Sequence, residues 1–283
     1  MSRYAKTTSR LIAGGLGLLY AGVTLAPAQD AGKAKPPDFS AGNAGWATIG
    51  TDWIAMPGSP PPVGSDPAHP YVPNNTGKQP TFRIADLNNP NLTQFAKDAL
   101  KKANDEVIAG KAMYSRESRC WATGVPTYLL NPGGPTFFVQ TPEKVTMIWQ
   151  MDHQVRHIYL NVPHSANPKP SPYGESVGHY ENGDTLVIDT IALSEDTYID
   201  NYRTPHTTAE HVIERFKVTD GGKTIQVTIN VDDPGTFNMA WSARQTYHRT
   251  HEEPISETIC AENNSVIFDA AVSSIPQAAK PDF

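Results

Sequence analysis

Three titratable side chains stand where they could move a proton: Asp189, His206 and Glu214. Glu214 alternates with Val212 and Phe216 along an extended run, so its carboxylate is either paired or has its pKa raised by desolvation. Asp189 ends an apolar strand, and His206 follows a proline that stiffens its backbone. General acid–base catalysis requires a carboxylate or imidazole with a shifted pKa, so these three are the candidate catalytic residues. The alternative for each is a structural role, bonded to an arginine or to loop amides.

Further side chains could form a pocket around these three groups. Two arginines could hold an anionic or enolate oxygen, a tryptophan and a methionine could supply an apolar wall, and two histidines and a tyrosine lie in or beside loops. The candidates for substrate binding are Arg156, His164, Tyr173, His179, Arg215, Trp149 and Met147. A mostly apolar pocket with a few convergent polar groups is the usual composition of a small-molecule site.

Histidine spacing does not indicate a metal site. His248 and His251 are three residues apart, which places them on opposite faces of a strand. No H-E-x-x-H, Cys-x-x-Cys or EF-hand motif occurs, so we expect no cofactor, although a metal held by distant residues stays open. The segment ESVG is not the Gly-x-Ser-x-Gly elbow, which disfavours a serine hydrolase of the α/β type.

Short extended runs must position these side chains. From Thr136 to Cys260 about nine runs follow one another, mostly joined by turns of hairpin length, including Asn182-Gly183. Such a meander tends to close on itself, because closure removes exposed strand edges. We predict a mainly β fold, an antiparallel up-and-down barrel of the lipocalin or allene-oxide-cyclase kind. An open β-sandwich is the alternative.

The chain before these runs differs in composition. Residues 29–90 are rich in Pro and Gly, which predicts an irregular arm, either packed on the domain through its aromatic residues or flexible. An amphipathic helix is predicted over 91–110, capped by Asn91. The predicted organisation is a signal peptide at 1–28, the arm at 29–90, the helix at 91–110, the barrel at 111–265 and a tail at 266–283.

The first residues predict export. Arg3, Lys6 and Arg10 precede a short apolar stretch, and Ala26-Pro27-Ala28 fits a cleavage site, so cleavage after Ala28 would release a periplasmic or secreted protein. No other stretch is long enough to span a membrane. Removal of three of the 23 basic residues, against 29 acidic ones, moves the formal charge from −6 to −9. This acidity disfavours nucleic-acid binding.

The two cysteines, Cys120 and Cys260, form an even pair. In an oxidising compartment such a pair predicts a disulfide, here one that closes a very long loop. A catalytic thiol is the alternative.

Several segments between residues 115 and 265 together resemble a family of exported bacterial proteins, found in proteobacteria and acidobacteria, whose function is unassigned. The segments are SRCWATGVP, QVRHIYLN, GESVGHYENGDTLVIDT, DNYRTPHTTAEHVIERF, DDPGTF with a following AW, and ETICAEN. They are similar to a family pattern of roughly Cys-x-Pro-x-Gly-x-Pro, then Gly-x-Ser-x-Gly-x-Trp-Glu-Gly-Asp-Thr-Leu-Val-x-Asp-Thr, then Pro-His-Ser and Glu-Arg-Phe. The resemblance implies a secreted β-rich domain and brings no established reaction.

The family's polar positions can be carried onto this chain one by one. They fall on Asp184, Asp189, Asp200, His206, Glu214 and Arg215. The chain departs from the pattern at Tyr180, where the family has Trp, at Asn182, and at NVPHSA, where an Asp-Gly-Arg-x-His stretch is usual. If that loop shapes a pocket mouth, the ligand here differs from the family's.

These features predict a periplasmic or secreted, cofactor-independent enzyme. It would act by general acid–base chemistry, as a lyase, isomerase or hydrolase, on a small apolar or aromatic molecule in a barrel pocket. The alternative is a non-catalytic carrier of a small hydrophobic ligand in the lipocalin manner. A third hypothesis is an envelope protein whose barrel is filled by side chains.

Overall fold

Ten strands and one α-helix form the regular structure of the residues that the computed structural model describes, which are 36–40, 42, 44–111, 116–131, 133–252 and 254–260. The predicted signal peptide (1–28) and tail (266–283) lie outside the described residues. The strands are β1 (Ala44–Thr48), β2 (Ile54–Ala55), β3 (Thr136–Gln140), β4 (Lys144–Trp149), β5 (Gln154–Leu160), β6 (Glu175–Glu181), β7 (Thr185–Ile191), β8 (His211–Thr219), β9 (Thr224–Asp232) and β10 (Trp241–Glu252). Helix α1 spans Gln94–Ile108, and 3-10 helices span Asn74–Thr76, Glu117–Arg119 and Thr127–Leu130.

Nine of the strands close into a barrel. The order runs β1-β3-β4-β5-β6-β7-β8-β9-β10, and β10 pairs back onto β1. The predicted barrel is therefore confirmed and the open sandwich is excluded. The closing strand β1 comes from the segment that was predicted to be an irregular arm, whereas the last expected run, 255–260, makes only the bridge between Met151 and Thr258.

One strand pair departs from the antiparallel meander. β5 and β6 are parallel, because the connection 161–174 returns the chain to the end of the barrel from which β5 started. The other barrel pairs are antiparallel. The β6–β7 turn has the positive φ angles that Asn-Gly favours, 51° at Asn182 and 71° at Gly183. Neighbouring β strands therefore bring the chain after β1, the segment before β3 and the β7–β8 connection to one end of the barrel.

Helix α1 begins three residues later than its predicted cap. The side chain of Thr93 accepts a hydrogen bond from the Ala96 N–H, which makes Thr93 the N-cap. The Asn91 amide is used elsewhere, since it donates to the Met239 carbonyl and accepts from the Met239 N–H. The buried face of the helix consists of Ala96, Leu100 and Asn104.

Side chains fill the described part of the barrel interior. Trp46, Phe138, Met147, Phe216 and Tyr247 are all at most 5% exposed, and the space between them has no room for a water molecule. The 3-10 helix Thr127–Leu130 is buried throughout and packs into the barrel end, where the Tyr247 hydroxyl donates to the Leu129 carbonyl at 2.6 Å. The expectation of a ligand cavity here is therefore wrong for this region.

The predicted disulfide is present. Cys120 and Cys260 are bonded across 140 residues, with their Cα atoms 5.4 Å apart. It ties the segment before β3 to the end of the described chain. None of the helices in the described residues has the length and hydropathy that crossing a membrane would require.

Candidate functional site

Glu214 lies inside the barrel and is fully paired. Its carboxylate forms a two-point ion pair with the Arg156 guanidinium, in which Nη1 lies 2.9 Å from Oε1 and Nη2 contacts Oε2. The Tyr128 hydroxyl donates to Oε1 at 2.9 Å. Both charged side chains are buried, so each ion depends on the other to offset the loss of water.

Arg156 has no donor left for a ligand. Besides Glu214, its guanidinium donates to the Tyr128 hydroxyl at 2.5 Å, to Thr190 Oγ1 at 2.8 Å and to Ser176 Oγ at 3.1 Å. These bonds occupy all five N–H groups that an arginine carries. Burial lowers the pKa of Arg156, but the Glu214 carboxylate outweighs burial and holds it above its ordinary value. The cluster is a closed structural network.

Asp189 faces the opposite side of the barrel wall. In the β7–β8 register Ile188 stands opposite Glu214, and Asp189 stands opposite Ile213. Residues directly opposite one another in an antiparallel pair share a face, and neighbours along a strand alternate. Glu214 and Asp189 therefore do not converge on one cavity.

On the outer surface Asp189 belongs to a histidine cluster. Its Oδ1 lies 2.7 Å from His211 Nε2 and 3.1 Å from His164 Nε2, and His164 Nδ1 lies 3.0 Å from Glu175 Oε1. Partial burial raises the pKa of Asp189, but the two histidine hydrogen bonds outweigh it and lower the pKa below the ordinary value. Glu175 and His211 were not among the predicted site residues.

His206 lies in a third place, in the β7–β8 connection. Its Nε2 is 2.7 Å from Thr197 Oγ1, and its Nδ1 is 2.9 Å from Glu210 Oε2 without the alignment of a hydrogen bond, since that nitrogen is directed at the Thr207 carbonyl at 3.1 Å. Burial lowers the pKa of His206, but Glu210 outweighs it and raises the pKa. The order hydroxyl, imidazole, carboxylate resembles a hydrolase triad. However, Thr197, His206 and Glu210 are each at most 2% exposed, which leaves no access for a substrate.

The remaining predicted residues are divided between the two faces of the wall. His179 and Arg215 are exposed on the outer surface, where both lie near Glu181. Met147 and Trp149 face inward and are buried. Tyr173 is partly buried, contacts the Tyr128 ring edge to face and donates to Gln154. The predicted set therefore does not form one pocket.

A polar cleft of about 340 Å³ lies at the barrel end where the chain after β1 meets the β7–β8 connection. Three arginines line it, so we call it the arginine cleft. Its charged residues are Arg83, Arg116, Glu117, Asp200 and Arg203, and its uncharged polar residues include Asn131, Asn201, Thr123 and Thr127. Tyr71 and Tyr198 supply its aromatic surface.

Glu117 is the chemically distinctive group of the arginine cleft. Its side chain is half-buried, and Oε1 is fully buried without a hydrogen-bond partner among the described residues. Burial, with a smaller contribution from the Asp152 carboxylate, raises its pKa to about 7. The backbone around it is fixed by the disulfide, since Cys260 Sγ lies 3.3 Å from the Glu117 carbonyl oxygen. A carboxyl group that titrates near neutral pH can both take and give a proton.

The arginines of the cleft are held in place but not saturated. Arg83 donates through Nε to Asp52 at 3.3 Å and through Nη2 to Thr51, and its guanidinium stacks 3.9 Å from the Tyr71 ring centroid. Arg116 donates through Nε to the Ala122 carbonyl and through Nη1 to Asp196, at 2.8 Å from its carbonyl oxygen and 2.7 Å from Oδ2. Within the described residues these bonds leave N–H groups on both guanidiniums for a ligand.

Asp200 shapes the cleft wall through its hydrogen bonds. Its oxygens accept from the N–H groups of Tyr202 and Thr204 and from the Thr204 hydroxyl. Burial raises its pKa to about 6 despite these bonds. The turn that it stabilises places Arg203 at a positive φ of 67°, a conformation that is unfavourable for a residue with a side chain.

Sequence reasoning missed Glu117, Arg83 and Arg116. Arg83 lies in a segment whose composition indicates only irregular structure, and nothing in its neighbourhood marks it as functional. Glu117 had one available signal, since it lies three residues before a cysteine that was predicted to be bonded, between two arginines. That signal is visible only once the disulfide is known to anchor a cleft.

Among the described residues no group of three or more His, Cys, Asp or Glu side chains is arranged to hold a metal ion. Comparison of the chain with known proteins gives no assignment: no protein-family model matches it, and no curated protein is significantly similar to it.

Proposed function

We propose that this protein is an exported enzyme that removes a proton from an organic acid bound in the arginine cleft, with Glu117 as the general base. The observation that carries the proposal is a half-buried carboxyl group with a pKa raised to about 7 and an unpartnered oxygen, in the same cleft as three arginines. Strongly perturbed acids in clefts are enriched at catalytic sites.

The arginines favour a substrate that carries a carboxylate. Guanidinium groups bind carboxylates through paired, charge-assisted hydrogen bonds. Every residue that lines the cleft except Gly133 carries a polar or charged group, so the cleft suits an acid better than the wholly apolar or aromatic molecule that the sequence predicted. A carrier of a hydrophobic ligand would require an apolar cavity, which the packed interior between Trp46, Met147 and Phe216 does not offer.

Proton removal next to the substrate carboxylate fits these groups. The ionised Glu117 takes the proton from that carbon, and the electron pair of the C–H bond delocalises into the carboxylate as an enediolate. The guanidinium groups stabilise the added negative charge. Donation of a proton from water to the opposite face gives an isomer, and Glu117 then releases its own proton to solvent. Departure of a group from the next carbon, which takes the proton from Glu117, gives an unsaturated acid. Isomerases and lyases share the first step.

Export is part of the proposal. Residues 1–28 have the charge and hydropathy pattern of a signal peptide with cleavage after Ala28, and the disulfide is of the kind that persists in the periplasm or outside the cell.

The test is hydrogen exchange in deuterium oxide. Galacturonate, mandelate and succinate each carry a C–H bond next to a carboxylate, and proton NMR follows its exchange. We expect wild-type protein to accelerate exchange of at least one acid, with a rate that rises as the pH passes about 7, the Glu117 pKa. Glu117→Gln should lower that rate by about 100-fold or more.

The matched control is Glu181→Gln, the same change on the outer surface, which should leave the rate unchanged. Exchange that persists in Glu117→Gln, or the absence of exchange for all three acids, would contradict the proposal.

A further inference from the structure

A second depression adjoins the arginine cleft. It measures about 330 Å³ and runs beside helix α1, so we call it the helix groove. Tyr198 and Arg203 line both spaces, so the cleft and the groove are neighbours. Each volume is at the lower end of the range for small-molecule sites, about 300–1,000 Å³. A ligand that occupies both must therefore be elongated.

The combined surface is positively charged in an acidic protein. Lys102 and Arg119 line the helix groove with Arg203, opposed by Glu106, and the arginine cleft adds Arg83 and Arg116. The whole chain carries a formal charge of −6. Concentrated cationic side chains on such a chain indicate an anionic ligand.

Trp121 lies beside one arginine of each space. Its ring centroid is 5.2 Å from the guanidinium carbon of Arg116, in the cleft, and 5.6 Å from that of Arg119, in the groove. The side chain is 50% exposed. An exposed indole between two cationic groups offers an apolar surface for stacking beside groups that bind acids.

Arg203, which lines both the cleft and the groove, has an N–H group without a hydrogen-bond partner among the described residues. The residue is 9% exposed, and its Nε has no partner among the described residues, although Nη2 donates to the Ala103 carbonyl at 3.0 Å. Its positive φ of 67° holds the side chain at this position against the preference of the backbone. A buried, unpartnered N–H group costs stability unless a ligand or water satisfies it.

We propose that the cleft and the groove together bind an acidic oligosaccharide, a chain of sugar rings that carry carboxylates. The arginines and Lys102 would take the carboxylates, Trp121 would stack on the C–H face of one ring, and the amides of Asn131 and Asn201 would bind hydroxyls. The inference rests on the proposed function, because it names the substrate class of the same site.

Acidic side chains in the same surface disfavour a nucleic acid. Glu106, Asp200 and the ionised form of Glu117 alternate with the cationic residues, and they would repel phosphates that recur at every nucleotide. Sugar hydroxyls donate hydrogen bonds, which these carboxylates can accept.

The experiment measures how affinity depends on ligand length. Isothermal titration calorimetry with the mature chain compares galacturonate with di- and trigalacturonate, fully methyl-esterified trigalacturonate and an oligothymidylate. We expect the trimer to bind at least about ten-fold more tightly than the monomer, and esterification to lower trimer affinity at least about ten-fold.

A groove variant then separates the two spaces. Lys102→Gln with Arg119→Gln should abolish the gain from monomer to trimer without changing monomer affinity, and Lys101→Gln, on the same helix outside the groove, should change neither. Equal affinity for monomer and trimer, equal affinity for the ester, or tighter binding of the oligothymidylate would each overturn the inference.

These outcomes are distinct from failure of the proposed function. If proton exchange depends on Glu117 but affinity does not depend on ligand length, the proposed enzyme stands and the oligosaccharide proposal is wrong. If affinity depends on ligand length but Glu117→Gln does not affect exchange, the oligosaccharide proposal stands and the proposed enzyme is wrong.

Discussion

At the scale of single residues, the same physical cause gives Glu214 and Glu117 different roles. Both are withdrawn from water, but Glu214 has an arginine and a tyrosine on its oxygens, whereas Glu117 Oε1 has no partner among the described residues. A paired carboxylate can stay ionised inside a protein, and an unpaired one holds its proton to higher pH. Burial alone therefore does not mark a catalytic acid; Glu117 is a candidate because it also has an unpartnered oxygen and lines a cleft.

The raised pKa of Glu117 predicts a stability change of definite sign. The unfolded chain ionises this carboxyl near pH 4.5 and the folded chain near 7, so the group lowers the free energy of unfolding as the pH rises between those values. Glu117→Gln should therefore stabilise the protein by roughly 1–3 kcal/mol at pH 8.5 and have little effect at pH 4. Urea unfolding at both pH values measures this, and a variant that is less stable at pH 8.5 would contradict the shift.

At the scale of elements, the Arg156–Glu214 network joins four neighbouring strands to the 3-10 helix that packs into the barrel end. Arg156 lies on β5, Ser176 on β6, Thr190 on β7 and Glu214 on β8, while Tyr128 belongs to the 3-10 helix Thr127–Leu130. Removing one of the two charges leaves the other buried without a counter-ion.

Glu214→Gln should destabilise the barrel by about 3–5 kcal/mol, because Arg156 would keep a buried charge without its counter-ion. The double variant Arg156→Met with Glu214→Leu should lose less stability than the sum of the losses in Arg156→Met and Glu214→Leu measured singly, since neither buried charge remains. Urea unfolding of the four proteins tests the cycle. A Glu214→Gln protein with native stability but no activity would instead restore Glu214 as a catalytic residue.

The outer histidine cluster holds the connection 161–174, between β5 and β6, against the barrel wall. His164 lies in the connection 161–174 and contacts Glu175 at the start of β6 and Asp189 on β7. The cluster holds the long connection against the strands and so favours the parallel pairing.

Asp189→Asn should lower stability by about 0.5–1 kcal/mol at pH 6 and make the connection 161–174 more sensitive to protease. Because the folded pKa of Asp189 lies below 3.8, its contribution is present above that pH and is lost as the pH falls through the lower folded value. The control is Asp184→Asn, an exposed partner of Lys217 outside the connection, for which we expect a smaller loss. Equal protease sensitivity in the two variants would argue against the fastening role.

At the scale of the whole molecule, one covalent bond links the site to the fold. The disulfide joins Cys120, beside Glu117, to Cys260, whose N–H donates to Asp152 at 2.6 Å in the β4–β5 turn. The barrel closes without it, because β1 and β10 pair directly. Its loss should therefore affect the arginine cleft more than the barrel.

Cys120→Ser with Cys260→Ser should lower the free energy of unfolding by roughly 2–4 kcal/mol. Dithiothreitol should lower the free energy of unfolding of the wild type, measured by urea unfolding, by a similar amount. It should leave that of the double variant unchanged. At urea concentrations below its midpoint the double variant should keep the far-ultraviolet circular dichroism of the barrel and lose galacturonate binding. Retention of full affinity would show that the bond does not position Glu117.

The sequence by itself determined the local features of this protein. The alternating side chains on β8, the Asn182-Gly183 turn and the even cysteine pair each depend on neighbours in the chain, or on redox chemistry, and each was predicted. Barrel closure followed because many short strands with short turns leave exposed edges unless they close. The helix cap was displaced because Asn91 bonds a distant loop at Met239, which no local pattern records.

Only the tertiary structure decided which side chains meet. Glu214 and Asp189 belong to adjacent strands with the same apolar setting, but the β7–β8 register sends one inward to Arg156 and the other outward to His164. A shift of one residue would exchange those faces, so the sequence pattern cannot distinguish the two arrangements. Arg83, Glu117 and Arg203 come together only because three connections end at the same end of a closed barrel. The location of the candidate site therefore depends on the closure of the barrel and cannot be read from any single segment of the chain.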